Sequence, residues 1–62
     1  MANENIDDGR RREIFAALVA AQDLGDSVAE SRTKVAHQFN LTEGDVRTIE
    51  LEGLEQLWPP LS

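Results

Sequence analysis

His37 is the only histidine of this chain, and cysteine and tyrosine are absent. That inventory leaves little room for catalysis. A nucleophile–base pair or a metal centre needs several convergent ligands, and one histidine among solvated carboxylates does not make one. The acidic residues follow no calcium-loop spacing, and no glycine-rich phosphate loop is present. The expectation is therefore a non-enzyme with no catalytic residue, no cofactor, no metal and no small-molecule substrate, and with His37 on the surface.

Recognition chemistry remains. Arg47 and Thr48, with Glu43 just before them, are the polar groups able to read a base edge. Arg47 can fork onto a guanine, Thr48 can touch a base or a phosphate, and Glu43 can accept from a cytosine amine. Arg32 and Lys34 can touch a phosphate backbone. Arg10, Arg11 and Arg12 form a further basic run. The plain alternative for the last five is a solvated face. Against any nucleic-acid role stand twelve acidic residues to six basic ones, a net charge of -6 that repels phosphate at long range. From Glu43 onward there are five acids and one base.

These residues must be positioned by helices. Ile14–Ala21 is an unbroken apolar run, and Asp7 or Asp8 can cap a first helix over about 9–24, with Gly25 as its stop. Its bland reading is a buried stripe of Ile14, Phe15, Leu18 and Val19. The sharper one is that a second side packs on another copy or another protein. Ser27-Val28-Ala29-Glu30 is a capping box for a second helix over about 28–39, with Ser31 as a competing cap. Val35, Ala36 and Phe39 share one face, Asn40-Leu41-Thr42 makes a turn, and Thr42 with Asp45 can cap a third helix over about 43–57. Val46, Ile49, Gly53 and Leu57 recur there as its apolar stripe. Two helices joined by so short a turn have helix-turn-helix geometry.

The pattern Val35-x-x-x-Phe39-Asn40-Leu41-Thr42-x-x-x-Val46-Arg47-x-Ile49-Glu50-x-x-Gly53-Leu54-x-x-Leu57 resembles the helix-turn-helix of region 4 of sigma-70-type RNA polymerase sigma factors. The likeness covers residues 31–57 without a gap, and most of the matching positions are scaffold. It implies a trihelical fold, with the N-terminal half of the third helix facing DNA and Arg32 and Lys34 near the backbone. In the groove-facing stretch only Arg47 follows the family, which there is rich in arginine. The family also favours alanine where Gly53 stands, a small residue that permits close helix packing.

The expected architecture is an all-α three-helix bundle containing a helix-turn-helix: a disordered tail over 1–8, the trihelical domain over 9–57 and a Trp-Pro-Pro tail over 58–62. It is one domain or an excised piece of a longer protein. A chain of 62 residues buries only about 60% of its unfolded surface, so its core is marginal. Trp58 either folds back over Leu54 or Phe15, or forms with Leu61 an exposed hook for a partner. Glu50 is placed to pair with a basic residue of the first two helices. Without a span of about 18 apolar residues or a signal peptide, no membrane is involved and the cytoplasm is the default.

Two functions follow. The first, towards which the sequence leans, is transcription-related DNA binding through Arg47, Thr48, Glu43, Arg32 and Lys34, as part of a larger regulator or an oligomer. The alternative is an acidic protein–protein interaction module, a homodimer or an adaptor, that keeps the scaffold without reading DNA. Its interface would be Ile14, Phe15, Leu18, Val19, Trp58 and Leu61.

Overall fold

The computed structural model describes residues 6–61, and within them the chain forms three helices. These are α1 (Asp8–Asp23), α2 (Val28–Phe39) and α3 (Glu43–Gln56), each packed against the other two. The protein is an all-α three-helix bundle. The disordered tail expected over 1–8 lies outside the described residues as far as residue 5. Of the remainder, Ile6 packs on the core, Asp7 caps α1 and Asp8 is already helical.

Each helix starts on a side-chain cap. The Asp7 carboxylate accepts from the Arg10 backbone N–H at 2.7 Å. Ser27 with Glu30 and Thr42 with Asp45 form complete capping boxes, which satisfy backbone donors that α2 and α3 cannot satisfy internally. Ser31, the competing cap, lies fully buried inside α2 and donates its hydroxyl to the Val28 carbonyl at 2.8 Å.

Each helix also stops on a left-handed residue: Gly25 at φ 108°, Asn40 at 58° and Leu57 at 54°. The backbone N–H of the next residue then reaches back to a carbonyl five positions earlier. Asp26 reaches Ala21 at 3.2 Å, Leu41 reaches Ala36 at 2.8 Å and Trp58 reaches Gly53 at 3.0 Å. These are Schellman closures, and in the last two the returning side chain is apolar and folds towards the core. Leu57 was expected to continue the buried stripe of α3. Instead it is exposed, because the reversal at its own backbone turns it out and brings Trp58 in.

The core consists of Ile14, Phe15 and Leu18 from α1, Val35 and Ala36 from α2, Val46 and Ile49 from α3, and Trp58. Full burial of a side chain such as Phe15 stabilises by about 1.5–3 kcal/mol. Trp58 meets the Phe15 ring edge-on, with centroids 6.1 Å apart. Phe15 in turn lies against the bare backbone of α3 at Gly53, where an added Cβ would fall 2.6 Å from Phe15 Cγ. Even alanine does not fit there. The helix-propensity cost of Gly53, about 1 kcal/mol, is the condition for this approach of α1 to α3.

Two predictions follow from this packing. Gly53→Ala should lower stability by roughly 1–3 kcal/mol despite alanine's better propensity, read as a shifted urea midpoint with Trp58 fluorescence as the probe. The second concerns the α2 cap. Hydrogen bonds from the Ser27 backbone N–H and then its hydroxyl hold the Glu30 carboxyl below the ordinary glutamate value. A lowered folded-state pKa means that this carboxylate's contribution is complete above the ordinary value and is lost as pH falls through the folded one. A carbon-detected NMR titration should place the Glu30 midpoint below 4.5, with the Ser27 amide moving in the same step.

Candidate functional site

Five of the six basic side chains are engaged by the chain's own carboxylates. On α1, Arg10 pairs with Glu13 and its guanidinium lies 4.7 Å above the Phe39 ring. Arg11 donates to the Ile6 carbonyl and reaches Glu52 of α3 at 3.2 Å. Arg12 pairs with Asp8 at 3.0 Å and covers the Trp58 ring at 5.5 Å. Stacking a guanidinium over an aromatic face is favourable, so Arg10 and Arg12 serve as lids on exposed edges of the core.

The two α2 cations expected near a phosphate backbone are occupied as well. Lys34 holds Asp26 at 2.7 Å, and that hydrogen bond raises its pKa above the ordinary value. Arg32 donates to Glu50 Oε1 from both Nε, at 2.8 Å, and a terminal nitrogen, at 2.7 Å. Glu50 is buried, and its second oxygen lies 3.4 Å from Gln22 Nε2, which also donates to the Ser31 hydroxyl at 3.1 Å. Gln22, Ser31, Arg32 and Glu50 thus tie all three helices together. The sequence placed Glu50 in such a pair but gave no sign of Gln22, since polar helical residues look alike until the helices meet.

The interface expected from Ile14, Phe15, Leu18, Val19, Trp58 and Leu61 needs correction. Ile14, Phe15, Leu18 and Trp58 are spent in the core, and Val19 is half-buried against it. Trp58 folds back on Phe15 and is no hook; only Leu61 is well exposed. Within the run Ile14–Ala21 the exposed side chains are the small ones of Ala16 and Ala20.

α3 carries a different face. Val46, Ile49, Glu50 and Gly53 turn inward, so Leu51, two residues from both Ile49 and Gly53, points directly away from the core. Leu51 is 56% exposed and Leu54, beside it, 50%. Around them on the same face lie Gly44, Arg47, Thr48 and Glu55, all exposed, with Glu43 at the helix start. The Thr48 hydroxyl donates to the Gly44 carbonyl at 3.0 Å. Among the described residues, Glu43, Arg47 and Glu55 make no ion pair or hydrogen bond through their side chains. The helical wheel held the signal for Leu51, because the inward stripe fixes its opposite.

The turn therefore brings Arg47, Thr48 and Glu43 together at the exposed N-terminal half of α3, while Arg32 and Lys34 are drawn off to Glu50 and Asp26. His37 is exposed in the last turn of α2. Among the described residues no helix is long and apolar enough to cross a membrane, and no group of three or more His, Asp or Glu converges as a metal site would require. No family model, characterised protein or solved structure matches the chain.

Replacing Glu50 with Gln should cost roughly 1–3 kcal/mol, between the values for exposed and buried pairs. It should also free the Arg32 side chain, seen as narrowed and averaged Nε–Hε signals in NMR.

Proposed function

We propose that this chain is a protein-interaction module that uses a helix-turn-helix scaffold and binds through the outward face of α3. The observation that carries the reading is Leu51, exposed at the centre of that face with Leu54 beside it. Two leucines turned to water on a helix that already buries its own stripe are well suited to a partner's apolar surface. The charge balance agrees. Five cations neutralise carboxylates of the same chain, so little positive surface is left for a phosphate backbone.

DNA binding is the second reading, favoured by Arg47. It is the one basic side chain without a carboxylate partner among the described residues, and it stands where a recognition helix contacts base edges. In a larger regulator, basic surface from other parts would supply the phosphate contacts, and the likeness to sigma region 4 would then extend to function. Both readings use the same face, so one molecule cannot serve both at once.

An amide NMR titration with a short duplex at low salt, paired with capture from host extract, separates them. The expected outcome is no saturable shift at Glu43, Arg47 or Thr48 with DNA, and a retained protein that is lost with Leu51→Ser. Shifts confined to those three residues and erased by salt would transfer the assignment to DNA. Equal capture by wild type and Leu51→Ser would remove the role of the α3 face.

A further inference from the structure

We infer that the partner on this face is a second copy of the chain, docked α3 against α3 in antiparallel fashion about a twofold axis through Leu51. The inference rests on the protein-interaction reading above and specifies its partner. Its basis is a self-complementary placement of charge. Arg47 and Glu55 lie four residues before and four residues after Leu51, one helical turn to either side, on the same exposed face. An antiparallel twofold pairing sets Leu51 against its own copy. It also brings Arg47 of each chain opposite Glu55 of the partner chain, twice over, as an isologous interface requires.

Both groups are left unpaired by the monomer, as Glu43 at the start of the helix also is. Every other basic side chain has a carboxylate, and Glu55, like Arg47, has no partner of its own among the described residues. Leu54, three residues beyond Leu51 and half-exposed, adds apolar surface at one flank of the seam. Gly44 fits the same scheme. Nothing inside the monomer asks for it, because an alanine Cβ would make only an ordinary contact with Thr42 Oγ1, at 3.7 Å. At the rim of a helix–helix seam a missing side chain lets the second helix and its C-terminal turn come close.

Net charge does not forbid the pairing. At physiological salt the Debye length is about 8 Å, so the charges bordering the seam decide, and there each Arg47 offsets a Glu55. Glu50 and Glu52, on the same helix, are already matched by Arg32 and Arg11. The contact spans about two turns of helix on each side. It belongs among small, reversible interfaces and not among obligate ones.

Charge reversal tests the scheme directly. In sedimentation equilibrium over a concentration series the wild-type chain should associate reversibly to a dimer. Arg47→Glu alone and Glu55→Arg alone should each abolish dimer over that range, since each sets two like-charged pairs in the seam. The double variant should restore it, because the pairs re-form with their signs exchanged. Leu51→Ser should be monomeric. All three positions changed are exposed, and an unchanged helical spectrum would confirm that each variant folds. A wild-type chain that stays monomeric throughout overturns the inference. So does a dimer indifferent to these substitutions, or a double variant no better than the single ones. If the chain is monomeric yet still captures another protein through Leu51, the partner is a different molecule and the interaction reading stands. If it is monomeric and captures nothing, that reading falls too.

Discussion

Phe15 lies against the backbone of α3 at a point where no side chain can stand, and the rest of the bundle is arranged around that contact. Gly53 makes it possible by exposing its Cα to the ring. Trp58 then covers the far edge of Phe15, having been turned inward by the left-handed residue Leu57. With Ile14 and Leu18 on the same helix, and Val35, Val46 and Ile49 facing them, the pair closes a core that a chain this short could hardly extend elsewhere. Arg10 and Arg12 lie over the rings of Phe39 and Trp58, completing with their guanidinium groups a cover that apolar residues alone do not supply.

Electrostatics follows from the same economy of size. A chain with twice as many acids as bases has few cations to show to the outside. Here nearly all are turned to internal use, capping the core edges or, in Arg32, crossing from α2 to the buried Glu50 of α3. That link, joined by Gln22 and Ser31, fixes where the three helices meet. A side chain held in this way has little freedom to meet a ligand. The result is a scaffold with the order of elements of a helix-turn-helix and a surface charge unlike that of a free-standing DNA reader. Among the surfaces it leaves open is the outward face of α3, with Leu51 at its centre and Arg47 and Glu55 to either side.

The sequence carried a good part of this. Capping boxes at Ser27 and Thr42, the stop signals at Gly25 and Asn40, and the inward spacing of Val46, Ile49 and Gly53 are local patterns. They set three helices within one or two residues of where they lie. The pattern read as resembling sigma region 4 consists largely of the same scaffold positions, and scaffold positions say little about function. The role of Gly53 as a close-packing site was legible in outline, although the neighbour that demands it was not. Leu57 was misplaced because periodicity assumes that the helix continues, and a left-handed turn breaks the period at that very residue.

Which helices form, where each begins and ends, and which stripe of each is apolar were determined by the sequence alone, because caps, stops and periodicity act within a few residues along the chain. The tertiary structure decided the charge pairs that cross between elements, whereas the i,i+3 and i,i+4 pairs of Arg10, Arg11 and Arg12 within α1 follow from spacing along the helix. Glu50 could have met any of several cations, and Arg11, Arg32 and Lys34 could each have stayed in water. Pairing of this kind depends on distances across helices that no spacing in the sequence encodes. The same holds for Trp58, whose burial required a reversed backbone and an open edge of Phe15 in the same place. The exposed face of α3 is the remainder of those choices, and its identity became visible only once the bundle had taken what it needs.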